Sequence, residues 1–317
     1  MAVTFSLANL LTAPDPRLWT DQTWCGGIPL TPEIMDGSAL WSAWSIPWLL
    51  AVLAILGWYI AAARGVFLKN APGDAGRVPK RKMISFFLGM ALFYLAVGSP
   101  LHIIGHFFLF SIHMLTMAVL YFIVPPLILY GMTDRMYRSV LSLGILREVY
   151  AFFSRRASIS LVLFNLLLSF YHFPFIFEFF KEYQIAGSLI HSVLFFTAMM
   201  NWLPIVQTID EFPRLSEGKK IVYLFVDGLA LMPACVLILF SGVPLYESYA
   251  GAPQLVPWLS RLSDQQLGSI FMILIQEIVY MIVLAMVIYQ WARREQQVTP
   301  EVQNLILLEK ASGRLRN

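Results

Sequence analysis

The residues of this sequence that could do chemistry inside a membrane are its histidines, and all five lie in apolar stretches. The connections between those stretches hold a large share of the chain but contain no histidine. Ionisable side chains are expensive inside a bilayer, and the few that occur there mark functional positions by default. We therefore interpret the histidines as a candidate site. They are His102, His106, His113, His172 and His191.

Helical spacing places three of these histidines and one methionine on the same face of a predicted third span. At about 100° per residue, with His102 as the origin, His106 lies at about 40°, His113 at about 20° and Met117 at about 60°. Met114 lies beside this stripe, at about 120°. The two remaining histidines fall on the next two predicted spans at a matching depth, so at least four histidines can converge near one surface.

Imidazole and thioether groups together form a soft ligand set that suits Cu(I) and poorly suits Mg, Ca or Mn. A methionine in an apolar bundle is more often packing, and a lone histidine in a membrane often only bonds to a neighbouring helix. The stripe with two converging helices favours a site for the metal cofactor copper, as Cu(I). The predicted ligands are His102, His106, His113, Met114, Met117, His172 and His191.

The elements that carry these residues are predicted to be transmembrane helices. Hydrophobic residues make up 58% of the 317 residues and charged residues 13%, with a mean hydropathy of +0.69. The apolar blocks are long enough to cross a hydrocarbon core of ~30 Å. The sequence predicts an all-α polytopic bundle of seven spans, with a kink or helix end at Pro125-Pro126. The blocks cover roughly 41–63, 83–99, 103–131, 158–180, 186–207, 220–241 and 268–291.

The placement of lysine and arginine predicts the orientation of the bundle. Nineteen of the 22 basic residues fall in the connections and tail on one side, and three fall on the other. Because positive charge accumulates on the cytoplasmic side, we predict that the N-terminus is outside and the C-terminus inside, in the cell membrane. The expected organisation is an extracytoplasmic segment 1–40, a transmembrane domain 41–292 and a cytoplasmic tail 293–317.

Other polar residues have open roles. Glu277 and Asp227, inside the predicted seventh and sixth spans, are interpreted either as part of an ion or proton path or as polar clamps between helices. Glu178 and Asp264, at predicted outer helix ends, are expected to contact water. Cys25 and Cys235 are interpreted as unpaired thiols.

The sequence contains no motif of enzymatic chemistry, and we predict that the protein is not an enzyme. Walker A, G-x-S-x-G, HExxH and CxxCH patterns are absent, and the last predicted span has no lysine that could hold retinal. The net charge of +3 is explained by the topology of the bundle rather than by nucleic-acid binding.

Three blocks of sequence around the histidine stripe resemble the CtaG family of cytochrome c oxidase assembly factors. Weaker similarity continues in His172-x-Pro174, in His191 and in Asp264-x-Gln266-x-Gly268. Met117 stands where many family members have a second histidine, and Ser269 stands where a glycine is expected. The three main blocks are Gly98-Ser99-Pro100-Leu101-His102, Leu109-Phe110-Ser111-x-His113-Met114 and Pro125-Pro126-Leu127-x-Leu129-x-Gly131.

The resemblance implies a seven-span protein that supports maturation of the haem-copper oxidase, with a role in copper delivery. Oxidase subunits or other copper chaperones, together with the lipid bilayer, are then the expected partners. Three alternatives stay open on the residues alone. They are a b-type cytochrome with paired histidine ligands, a copper or proton transporter using Glu277 and Asp227, and a scaffold without metal.

Overall fold

A computed structural model describes residues 44–65, 78–207, 209 and 211–311, with side chains up to Gln296. All regular structure within these residues is helical. The predicted segment 1–40 and Cys25 lie outside them, and Cys235 is a buried free thiol. The helices are α1 Ile46–Ala63, α2 Lys80–Gly98, α3 Pro100–Phe107, α4 Phe110–Ala118, α5 Val124–Gly131, α6 Asp134–Leu141, α7 Gly144–Arg155, α8 Ala157–Tyr171, α9 Pro174–Glu182, α10 Gln184–Val206, α11 Glu217–Leu239, α12 Glu247–Ala250 and α13 Arg261–Ala311.

Six helical runs are long and apolar enough to cross a membrane, and a seventh span is present if the bent pair α7–α8 counts as one. The two helices of that pair meet at 97°. The predicted fourth span, 158–180, was wrong as a continuous helix, because α8 ends at Tyr171 and α9 begins at Pro174. Proline disfavours helical backbone in the preceding residue, and Phe173 is accordingly extended, with φ −65° and ψ 127°.

The predicted third span, 103–131, is also divided. Helix α3 ends at Phe107, Leu109 is extended, and α4 begins at Phe110. A Cβ atom added at Gly105 would lie 2.8 Å from the backbone nitrogen of His113. Eight residues of straight helix would separate these positions by about 12 Å. Helix α3 therefore folds back against the start of α4, and the histidine stripe does not run along one helix.

The proline pair also interrupts this span, as predicted. A π-helical segment, Val119–Ile123, follows α4, and α5 restarts with Pro125 and Pro126 in its first turn. Proline is tolerated there because the first amides of a helix have no partner within the helix. The run Phe110–Gly131 is the centre of the bundle. In its most apolar 18-residue stretch 56% of the residues are buried, against 17–44% in the other five runs.

The predicted inner connection 132–157 contains the two amphipathic helices α6 and α7. Arg138 and Arg147 in these helices both pair with Glu211, at 3.0 and 3.8 Å. At the same end, α13 continues as a helix to Ala311, beyond the start of the predicted tail at 293.

Candidate metal site

A cavity of about 560 Å³ opens at the predicted outer end of the bundle, where α3, α4 and α10 meet. Helix α3 contributes His102 and His106, α4 contributes His113 and Met117, and α10 contributes His191. No aspartate or glutamate of the described chain lines this cavity. Five of the seven predicted ligand residues thus share one space, although the break between α3 and α4 means that they do not share one helix.

His102 and His106 are one turn apart on α3 and face the cavity together. Their rings are nearly parallel, with an interplanar angle of 17° and a centroid separation of 6.1 Å. Both residues are half-buried. Helix α3 begins at Ser99-Pro100, where the Ser99 hydroxyl accepts a hydrogen bond from the Leu101 amide at 3.2 Å. This N-cap fixes the start of the helix that presents both imidazoles.

The hydroxyl of Tyr171 lies between the two deeper histidines. It is 3.3 Å from Nε2 of His113 and 3.2 Å from Nε2 of His191. The other ring nitrogen of His191, Nδ1, lies 2.8 Å from the hydroxyl of Tyr121. One consistent assignment runs from the Tyr121 hydroxyl through His191 and Tyr171 to His113, with every imidazole neutral. The two Nε2 atoms therefore converge on one oxygen atom.

The structure places the remaining two predicted ligands outside the cavity. His172, at the C-terminal end of α8, has Nε2 3.3 Å from the sulfur of Met114, and both side chains are buried. Among the described residues, no three His, Cys, Asp or Glu side chains lie close enough together to hold a metal ion. The seven predicted ligands therefore fall into two groups by position: five line the cavity, and His172 and Met114 contact each other outside it.

Lys181 is a further residue of the cavity that the ligand pattern did not single out. Its Nζ is inaccessible to solvent and has no hydrogen-bond partner, and it lies 3.0 Å from the centroid of the Tyr249 ring. Burial lowers the pKa of Lys181 well below its ordinary value, against the opposing effect of Glu178 and Asp264. The sequence did contain a signal for this residue, because Lys181 is the one basic residue between the fourth and fifth apolar blocks.

Asp264 supports the site from α13 and does not contact water as expected, since it is 2% exposed. Its carboxylate accepts hydrogen bonds from the backbone amides of Phe110 and Ser111, at 2.7 and 3.2 Å. The hydroxyl of Ser111 donates a third, at 2.5 Å. Because these amides open α4, Asp264 caps the helix that carries His113.

The loop before α13 also holds the site residues through backbone contacts. The hydroxyl of Tyr249 donates to the carbonyl of Gly105 at 2.7 Å, and the hydroxyl of Tyr246 donates to the carbonyl of His172 at 2.8 Å. Arg261 donates to the carbonyls of Phe108 and Ala252. These tyrosines and this arginine fix helix ends that local sequence would leave free.

Asp227 lies apart from the cavity, in a polar cluster between α8, α10, α11 and α13. Its carboxylate accepts hydrogen bonds from Asn165, Asn201 and Tyr280, at 2.5, 2.7 and 2.6 Å. A buried carboxylate that receives three donors can link helices without a ligand. This geometry favours the clamp interpretation over the path. Glu277 is half-buried near the same cluster.

These features define a polytopic helical membrane protein with a histidine-lined cavity at one end of its bundle. The chain belongs to the family of cytochrome c oxidase caa3 assembly factors, which matches residues 57–294. The matched range contains all seven predicted ligand residues and Asp264. No curated protein and no solved structure matches the chain. Membership confirms the resemblance to CtaG, implies oxidase-related partners and suggests a non-catalytic role.

Proposed function

We propose that this protein holds Cu(I) in its histidine-lined cavity at the outer face of the cell membrane and passes the ion to the haem-copper cytochrome c oxidase during assembly. The observation that carries the proposal is the cavity of about 560 Å³ that five predicted ligands share. Oxidase subunits, or a copper chaperone that supplies the ion, are the expected partners. Membership of the family supports the oxidase as the target, and the histidine and methionine lining of the cavity supports copper as the bound ion.

The donor set supports Cu(I) over divalent metals. Four imidazoles and the thioether of Met117 are neutral, and no carboxylate of the described chain lines the cavity. Neutral nitrogen and sulfur ligands suit a soft monovalent ion, whereas Mg, Ca and Mn prefer oxygen ligands. Met117 in place of the histidine found in many family members keeps a ligand for the reduced ion.

The bridging hydroxyl of Tyr171 supports transfer rather than permanent storage. His113 and His191 each direct Nε2 to this hydroxyl, so each must exchange that contact to bind an ion. In the assignment above the single proton of this hydroxyl occupies the lone pair of His113, so the hydroxyl competes with the metal for that ring and can replace the metal after transfer. A competitor of this kind weakens retention and favours release to a partner.

The direct test is Cu(I) binding by the purified protein in detergent, measured anaerobically against a chromophoric Cu(I) chelator. We expect the parent to bind copper and His113→Ala to lose the cavity-bound ion while still accumulating in the membrane. Met117→His is expected to retain the ion and Met117→Leu, which keeps the volume but not the sulfur, to bind it more weakly. Met90→Leu, a buried methionine outside the cavity lining, is the matched control.

The same preparation separates the proposal from its rivals. A Soret absorption band in the purified protein would identify a haem protein, and parent protein with neither haem nor copper would leave the scaffold and the proton transporter. If Met117→Leu and His113→Ala both bind copper as the parent does, the cavity is not the copper site.

The role in the cell is tested by deletion. Cells without the protein are expected to lose cytochrome c oxidase activity while the oxidase subunits are still made and inserted. Added copper is expected to restore part of the activity, because a higher supply replaces delivery. Normal oxidase activity in a deletion strain grown on low copper would exclude the assembly role.

A further inference from the structure

One side of the cavity opens between α1 and α10, on the surface of the bundle that faces the bilayer. Trp48 of α1 and Ser188 and Ser192 of α10 line the cavity and are also exposed on the outside of the chain. The neighbouring positions of α10, Leu189 and Val193, are apolar and exposed as well. Because exposed apolar positions on a membrane helix face the lipid, the cavity is open to the hydrocarbon side.

A polar stripe follows the edge of this opening on α10. Gln184, Ser188 and Ser192 are spaced four residues apart, so they lie within about 80° of one another, and all three line the cavity. Deeper in the bundle, Phe93 of α2 contacts Phe195 of α10, with ring centroids 5.3 Å apart. The opening is therefore polar near the end of the bundle and apolar below, which is the polarity profile of a lipid.

Lys181 supplies a buried positive charge inside the same cavity. Its Nζ has no hydrogen-bond partner within the described chain, although an ammonium group has three donors. The ring of Tyr249, 3.0 Å away, offers only the weaker attraction of its π face. A buried charge is costly without a partner, so this position is suited to an anionic group.

The two carboxylates whose charge acts on Lys181 have other partners. Glu178 accepts a hydrogen bond from the backbone amide of Ser248 at 3.2 Å. Asp264 caps the N-terminus of α4. Neither carboxylate lines the cavity. The anion that pairs with Lys181 must therefore come from a ligand that enters the cavity.

The size of the cavity selects a small molecule over a protein helix. Its volume of about 560 Å³ lies within the range of about 300–1,000 Å³ that small-molecule sites have, and it is far larger than one metal ion needs. A helix about 10 Å across that rises about 1.5 Å per residue would fit only about five residues into this volume. The cavity can hold a lipid head group and the start of an acyl chain, but not the transmembrane helix of a partner.

We propose that the cavity binds one phospholipid from the leaflet at this end of the bundle, with its phosphate at Lys181 and its acyl chains leaving through the opening between α1 and α10. Lys181 lies in the last turn of α9, next to the start of α10, at the depth where helices end and head groups lie. Phosphate is the anion that a bilayer presents at this depth, and lysine binds it as a point charge.

This inference goes beyond the proposed function, because lipid binding does not require copper. The lipid shares the cavity with the histidines, and its phosphate would offset the repulsion between Lys181 and a Cu(I) ion. In lipid-free protein that repulsion acts in full.

The test is native mass spectrometry of the full-length, copper-free protein, delipidated in detergent and titrated with phosphatidylglycerol. We expect a first lipid that binds more tightly than the following ones. Lys181→Met should weaken this first binding by about 10-fold or more, because it removes a charge-assisted contact. Lys181→Arg keeps the charge, is the matched control and should retain the lipid. Diacylglycerol with the same chains, which lacks the phosphate, should show no tight first binding.

Ser192→Trp tests the path of the acyl chains. A large ring at this exposed position narrows the opening without entering the packed core, so the first lipid should bind more weakly. Leu189→Trp is the matched control, because Leu189 is exposed on the same helix but does not line the cavity.

Three results would overturn the lipid site. The first is unchanged binding of the first lipid in both Lys181→Met and Ser192→Trp. The second is displacement of the lipid by an equal concentration of inorganic phosphate, which would show a site for a free oxyanion. The third is a parent without a tightly bound lipid from which an oxidase subunit co-purifies and is lost in Ser192→Trp, which would assign the opening to a partner protein. All three are measured without copper, so the copper proposal is judged separately.

Discussion

The carboxylate of Asp264 accepts a hydrogen bond from the backbone amide of Phe110 at 2.7 Å, across 154 positions of sequence. The same carboxylate accepts from Ser111, and together these contacts close the N-terminus of α4. Negative charge at a helix N-terminus also interacts favourably with the helix dipole. The break between α3 and α4, which turns His102 and His106 towards the cavity, is thus stabilised from the last helix of the chain.

Asp264→Ala should destabilise the protein, because it leaves two buried amides and a hydroxyl without an acceptor. Each buried donor left unsatisfied costs about 1–3 kcal/mol of unfolding free energy. Asp264→Asn should lose less, since its carbonyl oxygen still accepts. Thermal unfolding in detergent measures both, with Glu247→Ala, an exposed acid, as the control. Equal stability of Asp264→Ala and the parent would show that the cap contributes nothing.

Tyr171→Phe should lower the stability of the copper-free protein while increasing the stabilisation that copper provides. The substitution keeps the packed ring but removes the hydroxyl shared by His113 and His191, which costs about 1 kcal/mol per lost hydrogen bond. Nε2 of His113 then binds Cu(I) without displacing a hydroxyl that donates to it. The measurement is the unfolding temperature with and without Cu(I). A smaller copper-induced shift than in the parent would instead identify the hydroxyl as a ligand.

At a pH below the lowered pKa of Lys181, Lys181→Met should tighten copper binding in the cavity about 10-fold, because it removes a positive charge that repels Cu(I) in a poorly solvated space. Lys181→Arg, which keeps the charge, is the matched control and should not. The chelator competition described above gives both affinities. Tighter binding by both variants would assign the effect to shape rather than charge.

The pH dependence of copper binding provides a second test of Lys181. Burial lowers the pKa of this lysine, so it loses its proton at a lower pH than an ordinary lysine with a pKa of about 10.4. Cu(I) affinity of the parent should therefore rise as pH increases through the lowered pKa. Neither Lys181→Met nor Lys181→Arg should show this part of the rise. Lys181→Arg should bind Cu(I) more weakly than Lys181→Met at every pH, because it keeps the positive charge.

Asp227→Asn should destabilise the protein without changing copper binding by the molecules that remain folded. The new amide would direct a donor at Asn165, Asn201 or Tyr280, all of which donate to the carboxylate now, and an unmatched buried donor costs about 1–3 kcal/mol. Unfolding temperature and copper content are measured on the same preparation, with Glu247→Gln, a change at an exposed acid, as the control. Unchanged stability combined with lost oxidase maturation would restore the ion-path interpretation.

Reporter fusions test the predicted orientation, which rests on the nineteen-to-three distribution of basic residues. Fusions after Arg156 and at Asn317 should report a cytoplasmic location, and a fusion within 242–262 should report an external one. A cytoplasmic signal from 242–262 would reverse the direction of the histidine-bearing helices and place the cavity at the inner face.

The sequence by itself determined which parts of the chain are membrane helices and that the histidines lie within them. Both follow from local composition, since a run of apolar residues long enough to cross a bilayer must satisfy its backbone internally and does so as a helix. The break at Pro174 and the interruption near Pro125 are likewise local, because proline removes a donor and restricts its neighbour.

Only the tertiary structure decided how the histidines are grouped. The break at Phe108-Leu109 has neither glycine nor proline, and it is stabilised by Asp264 from the far end of the chain. Helical periodicity assumes a continuous helix, so it placed His102, His106 and His113 on one stripe and could not predict that α3 folds back. The bridge made by Tyr171 and the pairing of Met114 with His172 also join distant helices. Such contacts depend on how helices pack together, which the spacing of residues along one helix does not specify.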